Sequence, residues 1–214
     1  YHKGSPFDAQ GRYVLFLRYK PGQRTAKICT LDLREGHARV IGETQSWTDH
    51  AAAQQQWAGD RGRVVFQDRA DGRRVIVSVG AEGEDERRYL LDLVFHHVDN
   101  EGRYGYARST SRQLWPDDSI APRGDKGVFR IDLDSGECEL VASLAEIVSR
   151  HPRHDAIRDC HLATPQIICH RTLPRVLFVL HNETYQRAID ESPPVKALFS
   201  LDADGSRLRY VGEL

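Results

Sequence analysis

The chain has 214 residues, 40% of them hydrophobic, which is enough to bury a substantial core in one or two domains. Its 30 basic residues balance 31 acidic ones, and the formal net charge of -1 offers no attraction for phosphate backbones or anionic membranes. We therefore expect no nucleic-acid partner. No apolar run approaches the roughly 20 residues that span a bilayer, so no membrane span is predicted.

The cysteines and the first residues bear on the origin of the chain. Four cysteines are scattered too widely for the disulfide framework of a small secreted domain, and we expect them to be buried thiols. The sequence contains no Met and starts with YHKG, so we interpret it as a processed or excised piece of a longer protein. The compartment stays open, with the periplasm or the extracellular space slightly favoured over the cytoplasm.

An internal repeat of four units runs through the sequence. Each unit has a turn, a β-rich run, a polar loop, a second β-rich run, an acidic or glycine turn and a last short strand. Alternation of apolar and polar residues within the runs is the signal of half-buried strands. In chain order the paired runs are RYVLFLRY with AKICTLD, RVVFQD with RRVIVSV, RYGYARS with KGVFRID, and RVLFVLHN with VKALFSLD.

Each unit is predicted to be a four-stranded antiparallel sheet. The second turns place Gly36, Gly83, Gly136 and Gly205 in equivalent positions, where a hairpin favours a residue able to take positive φ. The segments GSPF, QQQW, VFHHV and QIICH, each before a first turn, would be the innermost strands. Sheets of this kind packed radially make a β-propeller. We therefore predict an all-β chain with four propeller blades at approximately 1–44, 45–92, 93–142 and 160–214.

Two features qualify this simple repeat. Residues 141–159 carry apolar positions at helical spacing, which predicts one short helix between blades three and four. Four blades could close into a small ring or form part of a ring of six to eight blades. We favour the larger ring, because a repeat array that is cut short leaves exposed edges and the chain has no evident cap.

The blade pattern, especially HKGSPFDAQGRYVLFLRY, resembles the propeller repeat of TolB-type proteins. A likeness over most of the chain is to bacterial propellers related to oligogalacturonate lyases and other propeller-type polysaccharide lyases. It rests on His2, on QQQW at 54–57, on the segment 103–122 with Arg112, and on DKGVFRIDLDSGE. The resemblance implies a carbohydrate-binding propeller that acts as a lyase on uronate-containing oligosaccharides.

The resemblance also implies a divalent metal, Mn²⁺ or Ca²⁺, held by histidines and a glutamine. The candidate ligands in this chain are His161, Gln166 and His170. A clean Gln-x-x-His-x-His run is absent, and the nearest segment is Gln166 to His170.

Histidine, arginine and aromatic residues gather in the loops at one end of the predicted blades. Loops on a rigid scaffold are where binding residues usually lie. β-Elimination needs a cation to neutralise the uronate carboxylate, a base for the C5 proton and an acid for the leaving oxygen. We assign Arg112 as the cation, His50 as the base, and His2 or Tyr106 as the acid. The candidate substrate-binding residues are Trp115, Gln54 and Tyr106.

Other interpretations compete with the lyase. A non-catalytic TolB-like propeller would bind a protein or a glycan through the same loops. Tyr106 follows Tyr104 at a strand period of two, and packing between blades is the interpretation that we favour for it. A structural zinc at Cys160-His161 and Cys169-His170 has suitable ligand types, but the spacing is not that of a zinc finger.

Overall fold

The computed structural model describes residues 4–48, 51–109, 126–182 and 194–214. The chain divides into two compact units, one of Tyr1–Gly105 with Asp132–Glu137 and the other of Tyr106–Ile131 with Cys138–Leu214. In the described part of the chain, no helix is long and apolar enough to cross a membrane.

The strands form four antiparallel sheets in chain order, as predicted. Sheet 1 contains β1 (Tyr13–Arg18), β2 (Ala26–Asp32) and β3 (His37–Thr44). Sheet 2 contains β4 (Gln56–Trp57), β5 (Arg63–Ala70), β6 (Arg73–Gly80) and β7 (Arg87–Tyr89). Sheet 3 contains β8 (Leu93–Val98), β9 (Tyr104–Ser109), β10 (Gly127–Asp132) and β11 (Cys138–Ser143). Sheet 4 contains β12 (Leu162–Cys169), β13 (Arg175–Asn182), β14 (Lys196–Asp202) and β15 (Arg209–Glu213).

The predicted innermost strand GSPF of the first sheet is reduced to a single bridge between Phe7 and Val14. The carbonyl of Pro6 accepts a hydrogen bond from Leu15 N at 2.7 Å, so the segment still approaches β1. Proline has no N–H to donate, and the ladder cannot extend through this residue. The other three sheets have the four strands that the sequence predicts.

The glycines of the four second turns all have positive φ, as the repeat predicts. The angles are 65°, 95°, 79° and 87° at Gly36, Gly83, Gly136 and Gly205. At Gly136 a Cβ atom would also lie 3.0 Å from the ring of Tyr89. The backbone conformation therefore favours glycine at all four turns, and at Gly136 a larger residue would also crowd the Tyr89 ring.

A turn arginine recurs opposite the aspartate that ends the second long strand. In sheet 1, Arg12 donates from Nε and Nη2 to Asp32 Oδ2 at 2.9 and 2.6 Å. In sheet 3, Arg103 donates to Asp132 Oδ2 at 3.2 Å from the same two atoms. The free oxygen of Asp32 accepts the N–H groups of Arg34 and Glu35, which fixes the hairpin. The Arg12 contact, together with these backbone bonds, lowers the pKa of Asp32 to about 2.

This pair predicts a specific pattern of acid destabilisation. Because the pKa of Asp32 falls from 3.8 to about 2 on folding, the unfolded chain takes up the proton first as the pH falls. The ionised Asp32 stabilises the folded protein fully above pH 3.8, its ordinary pKa. This contribution is lost as the pH falls towards about 2, the pKa of Asp32 in the folded protein. Urea unfolding at a series of pH values should show a shallower loss of stability in this window for Arg12→Gln than for the wild type.

Arg34→Gln is the matched control, since Arg34 binds Asp32 through its backbone N–H and keeps that bond. It should retain the wild-type slope. Equal slopes for the wild type and Arg12→Gln would contradict this account of the hairpin.

The core of the first unit lies between sheets 1 and 2. Leu15 and Ile28 from sheet 1 face Phe66 and Val77 from sheet 2, and all four side chains are almost completely buried. Gly42 makes the close approach possible, because a Cβ atom there would lie 2.8 Å from the Phe66 ring. A buried aromatic side chain contributes more to such a core than any other residue type.

Replacing Phe66 should therefore lower the stability of the protein. Phe66→Ala is expected to lower the free energy of unfolding by about 3–5 kcal/mol, through lost burial and the cavity left behind. Phe7→Ala is the control, because Phe7 is 49% exposed, and it should stay within about 0.5 kcal/mol of the wild type. Similar losses for both variants in chemical denaturation would show that the core does not depend on this contact.

Two short helices, α1 (Leu144–Ser149) and α2 (His154–Ile157), occupy the position between sheets 3 and 4 where the sequence predicts one. A capping box between Ser143 and Glu146 starts α1. The helical pattern breaks at His151 and Pro152, because proline cannot continue a helix. Ile147 and Ile157 bury one side of each helix completely.

Candidate functional site

Two buried glutamines join sheet 2 to the first strand of sheet 3. The Gln56 amide donates to His96 O at 3.1 Å and accepts from Val98 N at 2.8 Å. The Gln67 amide likewise donates to Leu93 O at 2.7 Å and accepts from Phe95 N at 3.2 Å. Both amides are thus used at both ends, and they fix β8 against β4 and β5.

The loop that enters β4 has an unusual backbone. Ala52 and Gln54 have φ values of 48° and 56°, in the left-handed region that residues with a Cβ rarely adopt. Thr48 stabilises the loop by exchanging two backbone hydrogen bonds with Ala52 and by accepting Ala51 N on its hydroxyl. Residues held in sparsely populated conformations cluster at functional sites, which makes this loop a candidate.

Backbone hydrogen bonds of Ala53 fix the loop to sheet 2. Ala53 is completely buried, and its carbonyl accepts a hydrogen bond from Gln67 N at 2.9 Å. Its own N–H donates to Gln55 Oε1 at 3.0 Å, so Gln55 holds the loop from inside. The position of Ala53 is therefore fixed by Gln67 on one side and by Gln55 on the other.

The side-chain amides of this loop are not fully used. Gln54 Oε1 and Gln55 Nε2 are both buried, and neither has a hydrogen-bond partner among the described residues. Buried polar atoms normally have a partner, and each exception needs an explanation. Gln54 as a whole is only partly buried, whereas Gln55 is 4% exposed. Gln54 can therefore turn towards a ligand without breaking a hydrogen bond of its Oε1 atom.

Two arginines lie at the same end of sheet 2. Arg69 is two residues beyond Gln67 on β5, and the register pairs it directly with Arg74 on β6. Residues that are paired in this way lie on the same face of a sheet. The structure thus brings two guanidinium groups to the end of the sheet that carries the glutamine loop.

The sequence-predicted catalytic residues His2, His50 and Arg112 lie outside the described residues, and so does Trp115. Their roles stay predictions. Tyr106, the remaining candidate acid, is completely buried, and its hydroxyl donates to Ala203 O at 3.0 Å. This position fits the packing interpretation.

The structure does not bring the three predicted metal ligands together. His161 precedes β12, Gln166 lies exposed within it, and His170 follows it. At about 3.3 Å per strand residue, the two histidines are roughly 30 Å apart. His170 Nδ1 also accepts the N–H groups of Thr172 and Leu173, which gives it a role in the turn.

The two Cys-His pairs are separated in the same way. Cys160 lies before β12 and Cys169 ends it, and both are buried. Among the residues that the structure describes, no three His, Cys, Asp or Glu side chains are grouped so as to hold a metal ion.

Sequence reasoning named Gln54 as a candidate substrate-binding residue but missed the roles of Gln55 and Arg74. The run of three glutamines before a strand was a usable signal, because amides at an innermost strand must find partners or serve a ligand. The sequence did not reveal that the three glutamines have different roles, because the role of Gln56 depends on its bond to β8, about 40 residues later.

No protein-family model matches the sequence, and no curated protein matches it. Solved structures do match. TolB from Acinetobacter baumannii has a TM-score of 0.58 at 9% identity, over 97% of this chain and 42% of that chain.

Oligogalacturonate lyases match as well. The enzyme from Vibrio parahaemolyticus has a TM-score of 0.57 at 14% identity, over 100% of this chain and 52% of that chain. An oligogalacturonate lyase in complex with manganese has a TM-score of 0.57 at 15% identity, with the same coverage. The chain spans about half the length of these structures. At such identities the likeness shows the fold alone, and this fold is a TolB-like β-propeller.

Proposed function

We propose that this propeller binds a uronate-containing carbohydrate and that Gln54 contacts it. The observation that carries the proposal is a pair of buried amide atoms, Gln54 Oε1 and Gln55 Nε2, that have no hydrogen-bond partner within the described ranges of the chain. A sugar hydroxyl both donates and accepts hydrogen bonds, so it can donate to the Gln54 amide oxygen. Gln55 positions the loop through its bond from Ala53 N.

The charge near the loop favours an acidic sugar over a neutral one. Arg69 and Arg74 face each other across β5 and β6, and guanidinium groups bind carboxylates well. The fold is shared with oligogalacturonate lyases, which is consistent with a uronate ligand. A carboxylate contact with an arginine and a hydroxyl contact with Gln54 would together fix the orientation of one sugar ring.

The proposal predicts a loss of affinity on removing one amide. Gln54→Ala should weaken binding of an oligogalacturonate by about tenfold, because a hydrogen bond to a sugar hydroxyl is lost. The thermal midpoint should stay the same, since Gln54 Oε1 makes no bond among the described residues. Isothermal titration of both proteins with the same oligosaccharide measures the difference.

Gln23→Ala is the matched control, because Gln23 is an exposed glutamine of the same unit in a turn of sheet 1. It should bind like the wild type. Equal affinity of Gln54→Ala and the wild type would remove Gln54 from the site, and a wild-type protein that binds no oligouronate would favour a protein partner instead.

Catalysis by β-elimination is the finer part of the proposal and rests on His50, Arg112 and His2. His50 immediately precedes the described part of the glutamine loop, in which Gln54 is four residues further along the sequence. The base would then belong to the segment that contacts the sugar. The proposed steps use His50, Arg112 and His2 alone.

The lyase activity has a direct readout, because β-elimination creates an unsaturated uronate with a new ultraviolet absorbance. The full chain incubated with polygalacturonate, with and without added Mn²⁺ or Ca²⁺, should produce this absorbance. His50→Ala and Arg112→Ala should each abolish it while leaving thermal stability intact. Binding without any product would leave the carbohydrate proposal standing and overturn the lyase.

A further inference from the structure

The two helices between sheets 3 and 4, together with the start of β12, line an open cavity of about 260 Å³ in the second unit. Its apolar walls come from Leu144 and Val148 of α1 and from Leu162 of β12. Ile147 and Ile157 point elsewhere, into the buried core. The outer side of α1 is therefore left to line the cavity.

A buried histidine holds the helices in place. His151, between α1 and α2, is 1% exposed, and its Nδ1 accepts Arg153 N at 3.0 Å. Its Nε2 lies 3.3 Å from Glu213 Oε1 on β15, and its ring meets Tyr210 edge-on with centroids 5.2 Å apart. Burial lowers the pKa of His151, which keeps the ring neutral and able to accept from Arg153. The helix corner is thus fixed to sheet 4.

Ser149, His154 and Arg158 are the polar side chains that line the cavity, and two of the three are basic. His154 Nε2 lies 3.5 Å from Asp155 Oδ2, an exposed pair. Arg158 Nε lies 3.3 Å from Asp159 Oδ2, but the two side chains are 70% and 86% exposed. Exposed pairs of this kind contribute little to stability, so exchanging the Asp159 contact for a ligand carboxylate costs little.

We propose that this cavity binds a small amphipathic carboxylate, with its hydrocarbon part against Leu144, Val148 and Leu162 and its carboxylate against Arg158. The volume lies just below the range of about 300–1,000 Å³ typical of sites for drug-sized ligands, which suits a medium-chain acid. The arrangement of apolar walls with a few convergent polar groups is that of a small-molecule site. The site is independent of the glutamine loop, which belongs to the other unit.

The test is calorimetric titration of the full chain with octanoate and with two probes. Octanol lacks the carboxylate, and acetate lacks the long hydrocarbon chain. Octanoate should bind more tightly than either. Arg158→Gln should weaken octanoate by about fivefold or more and leave octanol unchanged, since only a charge-assisted bond is lost. Arg150→Gln is the control, because Arg150 is an exposed arginine that ends α1 and does not line the cavity.

A steric variant tests the hydrocarbon part. Ala145 is exposed on α1 and lines the cavity, so Ala145→Phe should fill it and abolish octanoate binding. The proposal is overturned if octanoate does not bind, if octanol binds equally well, or if folded Ala145→Phe binds octanoate as the wild type does.

Alkylation of the wild-type protein gives a readout that needs no variant. Cys160 lines the cavity, whereas Cys138 is exposed elsewhere. Octanoate should slow iodoacetamide labelling of Cys160 and leave labelling of Cys138 unchanged. Mass spectrometry measures the labelling of each cysteine over time. Equal rates at Cys160 with and without octanoate would contradict the site.

Discussion

The first unit depends on satisfying backbone polar groups where one sheet meets the next. Strand pairing within a sheet does not reach across to the next sheet, and an unpaired buried carbonyl costs about 1–3 kcal/mol. Buried side chains provide these bonds. Thr30 donates to Ala81 O at 2.8 Å and Thr44 to Gln67 O at 2.7 Å between sheets 1 and 2. Gln56 and Gln67 do the same for β8.

The same requirement distinguishes the candidate site from the scaffold. Three consecutive glutamines enter β4, and the third has both amide ends bonded to β8. Within the part of the chain that the structure describes, the second uses only its oxygen, to hold the loop, and the oxygen of the first has no partner. One sequence motif thus contains a structural amide, a positioning amide and the amide that we propose contacts a ligand. The three roles differ because each amide oxygen and nitrogen has a different set of hydrogen-bond partners, which packing of apolar side chains could not specify.

Local rules of sequence explain most of the fold. The positive φ at Gly205 and its three counterparts follows from hairpin chemistry, and alternation located the strands. Pro6 reduced a predicted strand to a bridge because it lacks an N–H, and a break at Pro152 made two helices of one. The site was less predictable. The role of Gln56 depends on β8, and the separation of His161 from His170 depends on both flanking one extended strand.

The central claim is that the Gln54 amide is the group that meets the ligand while the Gln56 amide belongs to the scaffold. Side-chain amide resonances in a ¹⁵N-labelled sample report on each glutamine separately during titration with a galacturonate trimer. The account predicts that the Gln54 amide signals shift with saturation, and that those of Gln56 and exposed Gln23 stay in place. Signals of Gln54 that move no more than those of Gln23 while the trimer binds would contradict it.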